Sequence, residues 1–322
     1  FLRAYYHFLL VQGWYEVPIR KETVKDITVS SLEATPHAEA LDWIIQEMED
    51  CLDMVDDSNY DASPSHVKKT VVEGILARAG EPSKGGKPYY EKAAKYAKAV
   101  YDSKKHKLNP DVYAMWKALA SDQYETTYNE SMWEVEFVGT RDDGSYTESR
   151  IGNVIGNLQE NSAGTGAGYT YAFYAGSLIL WDLYDAKDAR RDLAMAPYKL
   201  NNKDVQVAWK DNQIVDRRCG KYRREWESSS PKHKNYTQEN YCLLRYADVL
   251  LMLAEAENEA NQGPTALAYT CINEVRKRAY GSDYEANKYT EGNYAENELA
   301  ILHERDKEFV WEGKRWFDVV RM

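Results

Sequence analysis

The chain has 322 residues, with 41 Lys and Arg against 52 Asp and Glu, so its formal net charge is −11. This excess of acid argues against binding to nucleic acid or to anionic lipid, because both depend on cationic contacts. No apolar run approaches the roughly 20 residues that a membrane-spanning helix needs. With 43% hydrophobic residues, the chain is expected to fold, either as two domains' worth of material or as one large helical domain.

The first 130 residues have the pattern of paired helices. Apolar side chains recur there at intervals of three and four, and small residues such as Ala93 and Ala97 would let antiparallel helices approach closely. This rhythm resembles a degenerate tetratricopeptide array, although the W-x-x-L-G-x-x-Y box of that repeat is absent. Helices are predicted over residues 3–14, 36–55, 64–79 and 88–102.

The middle of the chain, residues 131–238, has a different pattern. Residues 131–139 (SMWEVEFVG) alternate in polarity like a strand. Two long polar stretches follow at 139–175 and 199–240, with a short helix predicted between them at 176–185. Loops of this length in a compact protein usually carry function or are disordered. We therefore expect residues 131–238 to form a loop-rich, ligand-facing part.

Regular helical periodicity returns after residue 238. Helices are predicted over residues 239–261, 264–279 and 293–312, and the sequence NQGP at 261–264 ends the first of them. These helices are expected to complete the core of the helical repeats. Residues 1–130, 131–238 and 239–322 are therefore interpreted as three parts of one domain.

The sequence offers no convincing cofactor or metal motif. GTGAG at 164–168 lacks the third Gly of a dinucleotide-binding loop, and DSNYDA at 57–62 is not followed by the Gly and Glu of a calcium loop. The six His residues have no metal-ligand spacing, and the four Cys residues include no CxxC pair. We expect neither a cofactor nor a bound metal.

One pair of carboxylates could on paper perform acid/base catalysis. Glu304 and Glu308 lie one helical turn apart, and glycoside hydrolases use a pair of carboxylates. Four cationic side chains crowd them, and carboxylates beside Arg have a lowered pKa and stay ionised. This favours a structural ion network, so no catalytic residue is assigned and the chain is not expected to be an enzyme.

The last eighty residues carry the most specific pattern. LRYADVLLMLAEAENEA (244–260), INEVRKRA (272–279) and ILHERDKEFVWEGKRWFDVVR (301–321) closely resemble the C-terminal signature of the SusD/RagB family. FLRAYYHFLLVQGWYEVPI (1–19) and WDLYDAKDARRDL (181–193) resemble two further family segments, with Tyr15 near a position where Gly is usual. The family's lipidated Cys, first helices and C-terminal tail have no counterpart in this sequence, so we expect truncation at both ends.

The resemblance implies a fold and a function. The fold would be all-α for the most part, SusD-like, with tetratricopeptide-like helix pairs packed against an irregular loop-rich region with little strand. The function would be that of a lipid-anchored protein on the cell-surface side of the outer membrane of Bacteroidetes. Such proteins capture oligosaccharides or other nutrients and deliver them to a SusC-type TonB-dependent transporter, without hydrolysing them.

Two other classes of protein remain open. A tetratricopeptide-like scaffold would bind protein segments in an apolar or basic groove and would not bind glycans. A helical glycoside hydrolase would need two carboxylates that face a cleft at catalytic separation.

Charged residues of alternating sign run through the C-terminal signature. Buried charges are tolerated only when they are paired and hydrogen-bonded. We therefore expect these residues to form a structural ion ladder that joins the C-terminal helices to the repeats, with Trp311, Trp316 and Phe317 in the core. The ladder consists of Arg245, Asp248, Glu304, Arg305, Glu308, Glu312, Arg315, Asp318 and Arg321.

The chain is rich in Tyr, with 26 Tyr but only 6 Phe. Tyr and Trp combine an apolar face with a polar edge, which suits stacking against sugar rings. Asn161, Arg217 and Arg218 could add hydrogen bonds, and the acidic balance of the chain disfavours strongly anionic glycans. The ligand-binding candidates are the aromatic residues of the two polar stretches: Tyr169, Tyr171, Tyr174, Trp209, Tyr222 and Trp226.

Overall fold

The computed structural model describes residues 1–55, 63–80, 87–137, 148–161, 166–228, 232–290 and 292–321. The DSNYDA segment and part of the GTGAG segment lie outside these ranges. The helices are α1 (Leu2–Trp14), α2 (His37–Glu49), α3 (Lys69–Ala79), α4 (Lys87–Ser103), α5 (Ala114–Ser121), α6 (Ile151–Ile155), α7 (Leu178–Asp182), α8 (Arg191–Ala194), α9 (Tyr246–Asn261), α10 (Ala266–Tyr280), α11 (Tyr284–Asn287), α12 (Tyr294–Glu308) and α13 (Arg315–Arg321). The strands are β1 (Ser131–Val135), β2 (Tyr198–Leu200), β3 (Gln206–Ala208) and β4 (Tyr241–Arg245). The expected fold class, mainly helix with little strand, is confirmed.

Helix α9 lies at the centre of the helical part. Its residues from Tyr246 to Ala256 are all buried, and α3, α4, α10 and α12 pack against it. A helix that is apolar on all sides needs neighbours on all sides. Gly74 of α3 lets strand β4, which leads into α9, approach α3 closely, because a Cβ atom at Gly74 would lie 2.5 Å from Cδ2 of Leu244. Helix α9 ends as its sequence predicts, with Gln262 in the left-handed conformation.

The strand predicted around residue 131 is present, but its partner was not foreseen. Strand β1 pairs antiparallel with β4, so residues 241–245 are extended, although the sequence predicts helix from residue 239. The helix begins only at Tyr246, whose backbone N–H donates to the carbonyl oxygen of Glu130. Pairing with a distant strand therefore overrides the local helical pattern, which is a tertiary effect.

The C-terminal segment is divided into two helices. Helix α12 starts with a capping box, in which Asn293 and Glu296 each accept a backbone N–H from the other residue. It ends at Glu308, four residues before the predicted end. Trp311 and Gly313 then adopt positive φ angles of 69° and 70°, and the chain turns into α13.

A second, smaller core joins the loop-rich middle part to α5. Met115 and Trp116 of α5 are buried there with Leu193 of α8 and Cys219, and Ile151 of α6 packs against them. This cluster fixes the irregular segments on a packed base.

Among the described residues, no helix combines the length and the apolar character needed to cross a bilayer.

Candidate functional site

The C-terminal charges form a buried ion cluster around Arg245. This side chain is 1% exposed and donates to Glu308 at 2.6 Å and to both carboxylate oxygens of Glu312 at 2.8 Å. Lys221 contacts Glu312 at 2.5 Å, and Arg190 contacts Glu308 at 3.0 Å. Every one of these charges therefore has a partner of opposite sign.

The ion cluster keeps its carboxylates ionised. Burial alone would raise the pKa of Glu308, but the neighbouring Arg278, Arg245 and Arg190 hold that pKa well below its usual range. The same balance of burial against Arg245 and Lys221 lowers the pKa of Glu312. A carboxyl group that stays ionised at all working pH values cannot donate a proton, so Glu308 is unsuited to be a general acid.

A second group of charges is centred on Asp248. Its carboxylate accepts from Lys314 at 2.7 Å and from Arg305 at 3.2 Å, and Arg78 of α3 also pairs with it. Arg305 in turn contacts Asp318 at 3.0 Å. These contacts join α3, α9, α12 and α13.

Two expectations about the C-terminal segment are wrong. Arg315 is not part of the buried ladder, since its side chain is 51% exposed and pairs with Asp306 on the surface. Trp316 is not a core residue, since it is 67% exposed. Both follow from the turn at residues 309–314, which rotates α13 so that these side chains face outward.

The sequence pattern missed half of the ion cluster. Five of the missing members come from distant segments that no local periodicity connects with the C-terminal signature, and three, Arg276, Arg278 and Lys314, lie within the signature itself. They are Arg78, Glu130, Asp188, Arg190, Lys221, Arg276, Arg278 and Lys314.

On the loop-rich part, three aromatic rings form a continuous aromatic strip, defined here as Tyr169, Tyr171 and Phe173. The rings of Tyr169 and Tyr171 meet edge to face, with centroids 5.0 Å apart. The rings of Tyr171 and Phe173 are stacked, with centroids 5.2 Å apart and planes 13° from parallel. Phe173 is 67% exposed and the adjacent Tyr174 is 55% exposed, so the strip presents apolar ring surface to solvent.

Buried polar contacts hold the aromatic strip in place. Asn153 of α6 donates through Nδ2 to the carbonyl oxygens of Tyr169 and Lys234, both at 3.0 Å. Arg224, which is 2% exposed, pairs with Glu227 and donates to the same two carbonyl oxygens. The base of the strip is therefore held by two buried side chains whose hydrogen bonds fix their orientation.

Gly168 makes this arrangement possible. It has a φ of +87°, and a Cβ atom there would lie 2.9 Å from the guanidinium carbon of Arg224. A side chain at this position would be strained and would displace the arginine.

The six predicted aromatic candidates have different environments. Tyr169, Tyr171 and Tyr174 lie together, whereas Trp209 is half-buried beyond strand β3 with the ammonium of Lys199 5.1 Å from its ring. Trp226 is half-buried with the guanidinium of Arg223 4.8 Å from its ring. Only the first group forms a shared surface.

Tyr222 must be withdrawn as a surface candidate. It is 2% exposed, and its ring lies edge to face with Trp116, with centroids 5.5 Å apart. The second core cluster encloses it, so it supports the loops from below and has no face for a ligand.

Phe173 is the functional candidate that the sequence reading missed. The signal was the spacing of two among Tyr169, Tyr171 and Phe173, which tends to place side chains on one side of an extended segment. Of the predicted polar residues, Arg218 lies close to Phe173, since its Nε donates to the carbonyl oxygen of Ala172 at 3.0 Å. Asn161 is instead next to Asp204, with 3.4 Å between its Nδ2 and Oδ1 of Asp204.

A separate apolar groove lies between α1 and α13 in the helical part. It is a cavity of about 340 Å³ lined by Phe8, Val11 and Leu41 and edged by Trp14 and Trp316. Trp14 is 72% exposed, and its neighbour Tyr15 stacks on His37 with centroids 4.0 Å apart. Exposed apolar surface of this kind often marks an interaction site.

Both ends of the chain match models of one family. The model described as "SusD family" matches residues 198–322, and the model described as "Starch-binding associating with outer membrane" matches residues 1–79. The two matches support the SusD/RagB family for this chain. The resemblance read from the C-terminal signature is confirmed.

Known relatives are longer than this chain. SusD-like protein P2 of Formosa agariphila is 26% identical over 340 aligned residues, which cover 100% of this chain and 64% of the relative. A SusD homologue from Bacteroides thetaiotaomicron superposes with a TM-score of 0.81 at 24% identity, covering 99% of this chain and 66% of that one. Surface glycan-binding protein A of the same species, solved in complex with laminarihexaose, gives 0.74 at 19% identity, with 99% and 67% covered. These likenesses establish the fold.

Proposed function

We propose that this protein binds oligosaccharides through the aromatic strip and Tyr174. The observation that carries the proposal is the stacking of the half-buried ring of Tyr171 on the exposed ring of Phe173, above a base fixed by Asn153 and Arg224. Sugar rings have apolar C–H faces that pack on aromatic rings, and their hydroxyl groups need polar partners at the edge. Tyr171 and Arg218 supply such polar groups.

The rigidity of the strip favours binding. Ordering a mobile side chain on association costs about 0.5–1.5 kcal/mol, so rings that are already ordered lose less. The hydroxyl of Tyr171 donates to Oδ1 of Asn235 at 3.0 Å, which limits rotation of that ring.

The comparisons support both the binding activity and its cellular location. One neighbour was solved with a bound glucan oligosaccharide, and the model that matches residues 1–79 is described as associating with the outer membrane. We extend this to a lipid-anchored protein on the cell surface that delivers its ligand to a SusC-type TonB-dependent transporter. Copurification of the intact protein with such a transporter from outer membranes would test this extension; its absence from that complex would contradict it.

The protein is proposed to bind without hydrolysing its ligand. The paired carboxylates Glu304 and Glu308 are buried against Arg190, so neither faces a cleft. Incubation with any glycan that binds should therefore release no shorter products, and release of reducing ends would contradict this.

The binding surface can be tested with matched substitutions. Tyr174→Ala and Phe173→Ala should each weaken glycan binding about tenfold in affinity electrophoresis, which corresponds to about 1.4 kcal/mol. Tyr6→Ala is the control, since Tyr6 is a Tyr of similar exposure (61%) on α1. Equal binding by all four proteins, or equal losses in the control, would contradict the assignment.

One observation favours the alternative scaffold function. The groove between α1 and α13 has the apolar lining that a bound protein segment would need. If the protein is a scaffold, Trp316→Ser should abolish peptide capture on a peptide array, whereas Phe173→Ala should have no effect. Binding to glycans and to no peptide would exclude it.

A further inference from the structure

The charge around the aromatic strip differs from that of the whole protein. Residues 199–234 contain ten Lys and Arg but only five Asp and Glu, within a chain of net charge −11. Some of these cations are structural, such as Lys221 and Arg224, which are buried and paired with carboxylates. Others lie beside the strip, and these bear on the choice of ligand.

Arg218 is the cation that lies nearest to the middle of the strip. Its Nε donates to the carbonyl oxygen of Ala172 at 3.0 Å, and residue 218 forms a backbone bridge with Ala175. Its other hydrogen bonds are to the carbonyl oxygens of Asp216 and Arg217. The guanidinium is thus held against the segment that carries Phe173 and Tyr174 by backbone oxygens, which carry no full negative charge.

The electrostatics of Arg218 contrast with those of the interior arginines. Burial lowers the pKa of Arg218, and the nearby Asp216 offsets this only in part. For Arg245 and Arg190, burial also acts to lower the pKa, but their carboxylate partners raise it well above the usual value. At Arg218 the loss of hydration outweighs the attraction of the nearest carboxylate, whereas at Arg245 and Arg190 the carboxylates outweigh it. An added anion would therefore bind favourably at Arg218.

Two further cations flank the strip. Lys234 is exposed, and its ammonium lies 5.5 Å from the ring centroid of Tyr169, at the other end of the strip. Arg217, next to Arg218, lies with its guanidinium 4.4 Å from the ring of Trp181, and burial lowers its pKa as well. Asp192 and Asp211 oppose the effect of burial on the pKa of Arg217, so carboxylates already lie near that guanidinium. Arg218 and Lys234 are therefore the better candidates for contact with a ligand.

We infer that the glycan bound by the strip is acidic, with a carboxylate or sulfate group beside the stacked ring that contacts Arg218 or Lys234. This inference rests on the proposed glycan binding and names the chemical class of its ligand. It reverses the expectation from the net charge, because a bound sugar experiences the charges within about one Debye length, roughly 8–10 Å, more than the total. Guanidinium groups suit such oxyanions because their N–H groups can bind two oxygens at once.

The test compares polymers that differ in charge. Polygalacturonate, its neutral carboxyl-reduced derivative and a sulfated galactan are used in affinity electrophoresis at low and at physiological salt. We expect at least one acidic polymer to bind ten times more tightly than the neutral one, with the advantage shrinking as salt rises. Preference for polygalacturonate identifies a carboxylate, and preference for the sulfated galactan identifies a sulfate.

Substitutions test whether the tighter binding of acidic polymers comes from the cations beside the strip. Arg218→Gln and Lys234→Gln should each remove most of the preference for acid, and Lys234→Gln should leave binding to the neutral polymer unchanged. Lys25→Gln, on the α1–α2 connection, should change neither the preference nor the neutral binding. The side-chain amide introduced by Arg218→Gln could still donate to the carbonyl oxygen of Ala172, and Lys234 is exposed, so retained neutral binding reports an intact strip.

The outcomes separate this inference from the proposed function. Equal affinity of wild type for acidic and neutral polymers, or an acidic preference untouched by both substitutions, overturns the inference but leaves glycan binding intact. No binding to any polymer by wild type overturns both.

Discussion

Removal of Arg245 should destabilise the protein far more than removal of a surface arginine. In Arg245→Met the side chain keeps much of its length, but Glu308 and Glu312 lose a partner that is 1% exposed and lies 2.6–2.8 Å away. Breaking a buried ion pair by removing one member costs about 3–5 kcal/mol, because the other charge is left buried. Lys221 and Arg190 remain as partners, which places the expected loss near the lower value.

Arg315→Met is the matched control. Arg315 is 51% exposed and pairs with Asp306, and exposed pairs contribute about 0–1 kcal/mol. Urea unfolding followed by tryptophan fluorescence and circular dichroism would measure both losses. A loss below about 1 kcal/mol for Arg245→Met, or equal losses in the two variants, would refute the view that the cluster is a structural lock.

Wild type and Arg245→Met should also differ in pH dependence. The pKa values of Glu308 and Glu312 are lowered in the folded protein, so their contribution to stability is present above the unfolded pKa of about 4.3 and is lost as the pH falls below it. Arg245→Met has less of this contribution to lose. The stability difference between wild type and variant should therefore narrow between pH 7 and pH 3.5, and a constant difference would contradict the electrostatic explanation.

Three further predictions concern single positions. Burial raises the pKa of Glu239 well above its usual value, so the contribution of this group to stability is largest below its unfolded pKa of about 4.3 and declines as the pH rises; Glu239→Gln should stabilise the protein more at pH 8 than at pH 5, and equal urea midpoint shifts at both pH values would contradict this. Tyr222→Ala should cost about 3–5 kcal/mol of unfolding free energy as a core truncation. Phe173→Ala should change stability by less than about 0.5 kcal/mol, and a reversal of this order would show that the two aromatic roles are misassigned. Gly74→Ala should lower the thermal midpoint, because overpacking against Leu244 costs about 1–3 kcal/mol of unfolding free energy. Gly13→Ala is the control: no atom lies within 4 Å of the added Cβ, so its thermal midpoint should not fall.

Local patterns determined a large share of the helical architecture. The apolar stripe of residues 36–55 and the stop sequence at 261–264 predict α2 and the end of α9, because helix formation depends on residues three and four apart and on nearby caps. The C-terminal signature likewise indicated the family, since each of its three segments is a short run of consecutive residues. The polar stretches could be recognised as loops, and their Tyr content indicated a surface for ligands.

Only the tertiary structure decided which residues meet. Residues 241–245 became a strand because β1 pairs with them, and a turn at 309–314 moved Trp316 from the expected core to the surface. The ion cluster draws Arg190 and Lys221 from segments about 90 to 120 residues away from their partners Glu308 and Glu312, a distance that no periodicity spans. Tyr222 and Phe173 have similar aromatic rings in similar polar stretches, and the packing around them, not their sequence, makes one a support and the other an exposed surface.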